Sequence, residues 1–495
     1  MQRTAQAASR RLDIRRLAPP KSLAALLAIV VCVGFAWALV VAPWQTPDEL
    51  AHFAYAQSLA ESHRLAGVAG RPGASSDQNV ADTAVGASRG AFFPQASPPD
   101  WSRADYEAYL AQVRGSDPPA RTDGEGPTSA TQNPPLYYLY ADIGYLIDHG
   151  GTAFGRLYAM RITGVLLLAL TTVGAWLLAG EVLGRRRLPQ LACASVAGLL
   201  PMATFMSTAV NPDALLITLW TFALWLGARV INRRAPVRDA VALCAVTAAA
   251  ILTKATSYAL VAPVLLALVI GWLRRPGVER RRAAKLLALA GLALVVPVLG
   301  WLALAHANGR TAINTIGTSP GHPFIITQFL SYVWQFYLPR LPWLTLFRTT
   351  PQLPVYDIWL HQGTGEFGWL VVYLPHWLYP AVAWLVGAVA IAAAALLSRL
   401  RDPRKLALLG FFALTLVALL GLLHITEYRV LISGGGQFLQ GRYLLPVIGV
   451  LGLAFGLIVS AIPRPARAPS CALLLTGLLA FQVISLATIV QGYYL

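Results

Sequence analysis

Apolar runs of about 20 residues recur along the whole chain, and each is long enough to cross a bilayer. Of the 495 residues, 56% are hydrophobic and only 12% are charged. That charged share is about half of what a soluble protein carries. Because backbone groups in lipid must pair within their own segment, such runs fold as helices. The sequence therefore predicts an all-α polytopic membrane protein that contacts the lipid bilayer directly.

The net charge of +17 reflects basic residues that gather in alternate loops, such as Arg185–Arg187 and Arg233–Arg234. Acidic residues gather in the loops between them. This is the positive-inside pattern, in which Arg-rich loops stay in the cytoplasm. We therefore interpret the basic character as an anchor for topology and exclude nucleic acid as a partner. The pattern predicts a cytoplasmic N-terminus.

Eleven spans fit every charge cluster. The apolar run 239–273 is too long for one helix, so we divide it at Lys254–Tyr258, on the outer side. The predicted organisation is a cytoplasmic tail (1–21), a first span (22–41), a first extracytoplasmic loop with interfacial helices (42–155), spans two to seven (156–305), a second extracytoplasmic loop (306–375) and spans eight to eleven (376–495).

The first extracytoplasmic loop is by far the longest polar segment before the C-terminal half. Its pattern predicts helices over 47–62 and 102–113, and a third that starts near Gln132 and runs towards Asp148. The Gly-, Ser-, Asp- and Pro-rich stretch 67–99 reads as loop. Aromatic amphipathic helices of this kind suit the membrane interface.

The stretch Thr46–Phe53 places two carboxylates and an imidazole where the first span meets water. Ionisable groups at that depth are costly and usually mark a site. A simpler interpretation is a capping box, with Thr46 as N-cap and Glu49 at the third helical position, worth about 1 kcal/mol. The two interpretations are compatible, because a carboxylate in the first turn is held ionised by the helix dipole, as a general base must be.

Further candidates lie at the predicted outer ends of other spans, and each has a structural alternative. Arg442 opens span ten, where a helix N-terminus favours an anion, but it could be a snorkelling arginine. Lys254 and Arg429 could be a structural turn residue and a loop charge. Asp213 could be a first-turn carboxylate. His52 follows Asp48 by four residues, so both face one side of a helix, although a lone histidine is often structural.

The motif Pro47–Phe53 (PDELAHF), paired with Asn133–Leu139 (NPPLYYL), resembles the GT-C superfamily of glycosyltransferases that use lipid-linked sugars. Within it, the sequence resembles a bacterial family of predicted membrane glycosyltransferases with P-D-E-x-x-H-F. More distantly it resembles lipid A aminoarabinose transferases and protein O-mannosyltransferases. The C-terminal half is similar only through Gln440–Pro446. The resemblance implies a GT-C-like bundle in which Asp48 is the catalytic base. Asn133 stands where the distant relatives carry a lysine.

The implied chemistry agrees with the residue types. A polyprenyl phosphate leaves without acid help if cations stabilise its charge, and the acceptor hydroxyl needs a carboxylate to take its proton. We expect Asp48 as base, with Glu49 orienting the acceptor or assisting a metal, and Arg442 as the phosphate clamp. The predicted substrate-binding residues are His52, Asn133, Tyr137, Tyr138, Asp213, Lys254, Arg429, Arg442 and Tyr443. Tyr137 and Tyr138 have an alternative role, as members of the aromatic belt at the membrane interface.

No cofactor is required by the pattern. Neighbouring residues on a helix do not face each other, so Asp48 and Glu49 form a poor metal pair; a divalent metal stays open. The four cysteines show no CxxC spacing and lie in apolar runs, which argues against disulfides and zinc.

The sequence thus favours an inverting glycosyltransferase of the bacterial plasma membrane with an extracytoplasmic active site. Its donor would be a polyprenyl-phosphate sugar, and its acceptor an envelope glycan, lipid or protein. Two alternatives stay open. One is a transporter or flippase of a lipid-linked saccharide, which predicts charges in the middle of spans. The other is a glycan polymerase or ligase that uses a lipid-pyrophosphate donor.

Overall fold

The structure, a computed structural model, describes residues 20–85, 102–310, 322–344 and 353–495. Almost all of the predicted N-terminal tail lies outside these ranges. The described residues form eighteen α-helices: α1 (Lys21–Val40), α2 (Glu49–Ser62), α3 (Ser76–Ala84), α4 (Arg103–Val113), α5 (Leu136–Ile147), α6 (Ala153–Val182), α7 (Arg187–Leu199), α8 (Pro201–Ser207), α9 (Asp213–Asn232), α10 (Val237–Ile251), α11 (Val261–Leu273), α12 (Gly277–Ala307), α13 (Ile326–Tyr337), α14 (Gly363–Gly365), α15 (Leu378–Leu397), α16 (Pro403–Ile432), α17 (Ile448–Ala461) and α18 (Arg464–Tyr494).

Three helical segments depart from α geometry. A 3-10 helix (Ala255–Leu260) precedes α11, a π-helix (Val355–Gln362) precedes α14, and a second 3-10 helix (Gly441–Val447) precedes α17. Strands β1 (Glu366–Phe367) and β2 (Val372–Tyr373) pair as an antiparallel hairpin.

Within the described ranges, nine helical segments are long and apolar enough to cross a membrane, or ten if α7 and α8 form one bent span. Those two helices meet at 58°, where Pro201 cannot continue the hydrogen bonding of α7. The predicted polytopic helical membrane protein is confirmed. The remaining predicted span is α10, whose 15 residues cover about 22 Å, less than the ~30 Å apolar core of a bilayer.

The predicted division of the run 239–273 is confirmed. Helix α10 ends at Ile251, and the 3-10 helix begins at Ala255. Lys254 lies between them in an extended conformation, so the break in the apolar run carries a charged side chain.

The described part of the polar segment between α1 and α6 contains four helices. Three of them, α2, α4 and α5, lie where the sequence predicts them. The prediction of loop throughout 67–99 is wrong over α3, while 86–99 lies outside the described residues. Helix α3 forms because the Ser75 side chain accepts a hydrogen bond from the backbone N–H of Gln78, which caps its first turn.

Helix α2 is buried within the protein, whereas the sequence predicts an interfacial helix there. All of its residues from Glu49 to Ser58 are buried, and they pack in an aromatic core with Trp44, Tyr145 and Phe154. Helix α5 does have the predicted amphipathic character, because Leu139, Leu146 and other apolar side chains on it are exposed. The first polar segment is therefore a packed helical cap, with one apolar row left for lipid.

One end of the bundle is rich in arginine. Arg233 pairs with Glu181 at 2.9 Å, Arg274 donates to the Ile231 carbonyl, and Arg275 donates to the Arg234 carbonyl. Helix α9 has 20 residues, begins at Asp213 and ends there at Asn232. At 1.5 Å per residue, Asp213 therefore lies about 30 Å from this arginine-rich end.

Residues 366–373 of the second polar segment pack over the end of the bundle that holds Trp44. The Trp369 indole donates to the Trp44 carbonyl at 3.1 Å. The Phe367 ring on β1 lies 5.1 Å from the Trp37 ring of α1 and 5.4 Å from the Phe205 ring of α8. Residues 366–373 are thereby fixed beside the connection between α1 and α2.

A buried ion pair between α3 and α6 generates a prediction about stability. Asp77 and Arg156 lie 2.5 Å apart and are almost fully buried. Asp77→Ala leaves the guanidinium unpaired, so we expect a destabilisation of about 3–5 kcal/mol, seen as a large fall in melting temperature in detergent. The double variant Asp77→Leu/Arg156→Met should melt at a clearly higher temperature than the single variant.

Glu107→Ala, which removes an exposed pair with Arg103, should leave the melting temperature unchanged. Equal shifts for Asp77→Ala and Glu107→Ala would contradict the prediction.

Candidate active site

The site is built on the short connection between α1 and α2. Asp48 has a left-handed backbone (φ 59°), which few side chains adopt without support from the surrounding structure. It occupies the position before α2, and its side chain makes no capping hydrogen bond. The predicted capping box is wrong: the Thr46 hydroxyl is buried without a hydrogen bond among the described residues. The Glu49 carboxylate turns towards α6 instead.

Glu49 is held by Arg161 of α6, and neither side chain is exposed. The guanidinium donates from Nε to Oε1 at 2.8 Å and from Nη2 to Oε2 at 2.5 Å. Val210 adds a backbone N–H to Oε1, and Arg161 also donates to the carbonyls of Val41 and Ala42. Both Glu49 oxygens are therefore engaged. This geometry makes Glu49 a positioning residue and does not favour its predicted contact with an acceptor or a metal.

Asp48 faces the opposite end of the chain. Its Oδ2 lies 3.2 Å from Nη2 of Arg442, which precedes α17 and is 394 residues away in sequence. Arg442 is nearly buried, whereas the Asp48 side chain is 35% exposed. Gln440 Oε1 accepts from Arg442 Nε at 2.6 Å and fixes the guanidinium. The structure thus brings the predicted base and the predicted phosphate clamp together.

A second acid and a second cation complete the arrangement. Asp213 Oδ2 lies 3.5 Å from Arg442 Nη1, and Asp213 Oδ1 lies 2.5 Å from Lys254 Nζ. We call Asp48, Arg442, Asp213 and Lys254 the charge cluster; its acids and cations alternate. Arg442 Nη1 makes no hydrogen bond with the described residues, although it is buried. A buried donor of that kind can bind an incoming anionic oxygen.

Two contacts fix the charge cluster in place. Asn211 accepts from the Asp213 backbone N–H at 3.0 Å and donates to the Pro47 carbonyl at 2.9 Å, so it links α9 to the residue before Asp48. The Tyr443 ring centre lies 5.0 Å from Lys254 Nζ and 5.2 Å from Arg442 Cζ, within the range of cation–π attraction.

His52 lies beside the charge cluster, in a hydrogen-bonded row with two other predicted residues. Tyr138 Oη lies 2.9 Å from His52 Nδ1 and accepts from Asn133 Nδ2 at 3.2 Å. Burial lowers the pKa of His52 to about 4, although the nearby Asp48 opposes that shift. The imidazole is therefore neutral near pH 7.

The remaining predicted residues lie further from this row. Tyr137 is buried and donates to the Ala209 carbonyl at 3.4 Å, so neither it nor Tyr138 is an interfacial belt residue. Arg429 of α16 lies over the Phe324 ring at 6.0 Å, and none of its described contacts joins it to the charge cluster. Among the described residues, no three His, Cys, Asp or Glu side chains are placed to hold a metal ion.

Sequence reasoning missed Arg161, Asn211 and Gln440. Arg161 left a signal, because an arginine within the apolar run of α6 needs a buried partner. Asn211 left none, since its contact with the Pro47 carbonyl forms only on folding. Gln440 lies two residues before Arg442 in the Gln440–Pro446 motif, so its position was visible but its contact was not predicted.

Fold and site together define a polytopic helical membrane protein with ionisable residues converging at one end of its bundle. The chain belongs to the family described as "Predicted membrane protein (DUF2142)", which matches residues 31–451. No curated protein matches the sequence.

Solved structures with a similar helical layout share little sequence with this chain. ArnT from Cupriavidus metallidurans bound to undecaprenyl phosphate is 14% identical with a TM-score of 0.49, over 96% of this chain and 76% of that one. The oligosaccharyltransferase from Archaeoglobus fulgidus is 12% identical with a TM-score of 0.45, over 95% of this chain and 56% of that one. Arabinosyltransferase EmbB from Mycobacterium smegmatis is 12% identical with a TM-score of 0.40, over 99% of this chain and 42% of that one.

The lowered pKa of His52 predicts a dependence of stability on pH. The unfolded imidazole takes up its proton near pH 6.5, whereas the folded one does so only near pH 4. Protonation therefore favours the unfolded state between these values. The stability present above pH 6.5 should fall as the pH falls towards 4, by at most about 3 kcal/mol. Melting temperatures in detergent should drop over this window, and less so for His52→Gln. Identical drops for both proteins would show that His52 titrates normally.

Proposed function

We propose that this protein is an inverting glycosyltransferase that takes a sugar from a polyprenyl-phosphate donor and transfers it to an acceptor of the cell envelope. The observation that carries the proposal is the charge cluster, in which a partly exposed carboxylate meets a nearly buried guanidinium and a lysine. A transfer of this kind needs one base for the acceptor hydroxyl and cations for the departing phosphate.

Arg442 and Lys254 would take the donor phosphate. They lie on either side of Asp213, so the acid between them holds both at one place. Arg442 Nη1 has a hydrogen bond left to give among the described residues. An incoming phosphate oxygen would use it at little cost, since the guanidinium is already oriented by Gln440.

Asp48 would act as the base. At rest it shares a single 3.2 Å contact with Arg442. A phosphate bound to Arg442 competes for that guanidinium, and Asp48 is then free to accept the proton of the acceptor hydroxyl. The sugar–phosphate bond breaks as the acceptor oxygen bonds to the anomeric carbon from the opposite side, which inverts the anomeric configuration. The phosphate keeps the electron pair.

The arrangement of the bundle supports an extracytoplasmic site. The arginine-rich end lies about 30 Å along α9 from Asp213, which is the thickness of the apolar core. If that end stays in the cytoplasm of a bacterial plasma membrane, as the positive-inside pattern indicates, the charge cluster lies at the outer surface.

Two other functions remain alternatives under this proposal. A lipid-linked saccharide flippase would need no base, so removing the Asp48 carboxylate would leave its transport intact. A polymerase or ligase with a lipid-pyrophosphate donor would use the same cations. Mass spectrometry of the lipid product released during turnover distinguishes a monophosphate from a pyrophosphate.

Asp48→Asn tests the base. The variant keeps the size of the side chain but cannot take a proton, so we expect transfer from radiolabelled polyprenyl-phosphate sugars in membranes to fall about 10²–10⁴-fold. Asp117→Asn removes an exposed carboxylate elsewhere in the same polar segment and serves as the matched control, with full activity expected. Undiminished transfer by folded Asp48→Asn would remove Asp48 from the mechanism. Parallel assays with EDTA measure any dependence on a divalent metal.

Arg442→Ala tests the phosphate clamp. Loss of a charge-assisted contact should raise the KM for the donor about 10–100-fold. Arg429→Ala is the matched control, because Arg429 contacts Phe324 rather than the charge cluster, and its donor KM should stay within twofold of the wild type. Equal effects of the two variants would show that no specific clamp exists at Arg442.

A further inference from the structure

A second cleft lies beside the charge cluster, in the segment between α13 and α15. It encloses about 360 Å³ and is lined by aromatic, acidic, amide and imidazole side chains, including Asp357, His361, Gln362, Glu366 and Tyr379. No lysine or arginine lines it among the described residues. It therefore differs in chemistry from the cluster, where the cations lie.

The cleft residues are held in fixed orientations. His361 Nδ1 hydrogen-bonds to the Glu366 carboxylate. The His361 ring also stacks on the Tyr379 ring, with 3.5 Å between ring centres and 16° between planes. The Tyr379 hydroxyl donates to the Gly365 carbonyl at 3.1 Å and accepts from the Leu374 N–H at 2.9 Å. Such preorganised polar groups are typical of a binding site for a small polar ligand.

The cleft adjoins the charge cluster through a shared wall. Gln362 and Glu366 also line a narrow cavity whose other side is formed by Pro47 and Arg442. Gln362 Oε1 accepts from the Gly441 N–H at 3.2 Å, next to Arg442. A ligand in the cleft would thus lie against Glu366 and Gln362, which separate it from Pro47 and Arg442 by only this narrow cavity.

We propose that this cleft binds the acceptor, and that the acceptor group it takes is the uncharged, hydroxyl-rich end of a glycan. Carboxylates, an amide and an imidazole suit hydroxyl groups, which both donate and accept hydrogen bonds. The carboxylates of Asp357 and Glu366 on the cleft wall disfavour an anionic headgroup. The proposal rests on the function proposed above, because it supplies that reaction with its second substrate.

Glu366→Gln tests the cleft in the transfer assay. It should raise the KM for the acceptor about tenfold, while the donor KM and the melting temperature stay unchanged. Glu107→Gln, at an exposed position of α4, is the matched control and should alter neither KM. A purely structural role for the His361–Glu366 pair would lower the melting temperature or shift both KM values together, and either result would overturn the proposal.

Direct binding separates this proposal from the proposed function. Saturation-transfer NMR on the full chain in nanodiscs would use cellotetraose, maltotetraose and mannotetraose as neutral probes and tetragalacturonic acid as the anionic one. At least one neutral probe should bind, and Glu366→Gln should weaken it about tenfold, whether or not transfer occurs. Absence of neutral binding, binding that Glu366→Gln leaves unchanged, or equal binding of the anionic probe would overturn the cleft assignment. Loss of transfer in Asp48→Asn alongside such a result would leave the proposed function intact.

Discussion

The ion pair between Glu49 and Arg161 is the interaction on which the site depends. Arg161 binds both Glu49 oxygens and the carbonyls of Val41 and Ala42, so one guanidinium fixes the end of α1 and the start of α2 together. The residues between these two points have little freedom left, and Asp48 takes its left-handed conformation there. A buried pair of this kind costs a large desolvation energy, which only good geometry and added hydrogen bonds repay. Here the added hydrogen bonds are accepted by the backbone carbonyls of Val41 and Ala42, in the connection that must be positioned.

The charge cluster is close to neutral as a whole, with two acids and two cations. That balance lets four ionisable groups lie near the membrane without a large desolvation penalty. It also means that an anion approaching Arg442 would meet a guanidinium already beside two carboxylates, whose Nη1 makes no hydrogen bond with the described residues. The arrangement differs from a patch of cations alone, which would attract any anion and would contain no carboxylate to act as a base.

The sequence predicted the helices well and the contacts between distant residues poorly. The lengths of the apolar runs predicted the membrane spans. Lys254 within the run 239–273 predicted a break, which the structure confirms. The error at α3 arose because its polar composition hides a helix that Ser75 caps and Arg156 stabilises. The capping box at Thr46 was a sound local pattern, but Glu49 found a stronger partner 112 residues away in α6. A local sequence pattern contains no information about such a distant partner.

The candidate site shows the same contrast between single residues, which the sequence predicted, and their contacts, which it did not. The acid at the exit of the first span was predictable from depth alone, because ionisable residues there are costly. The separation of Asp48 and Glu49 into an exposed member and a buried one was not, since it depends on which neighbour reaches Arg161. The link through Asn211 also depends on folding, because it joins the start of α9 to the Pro47 carbonyl, 164 residues away in sequence. The contact of Gln440 with Arg442 is local, only two residues apart, but the sequence does not show which way either side chain turns.

The contact between Asp48 and Arg442 has a consequence for the biosynthesis of the protein. A ribosome delivers the acid early and the arginine 394 residues later, after most of the spans have entered the bilayer. A truncated or stalled chain therefore holds the carboxylate without its guanidinium. The two charges can therefore pair only in a chain that has been synthesised past residue 442.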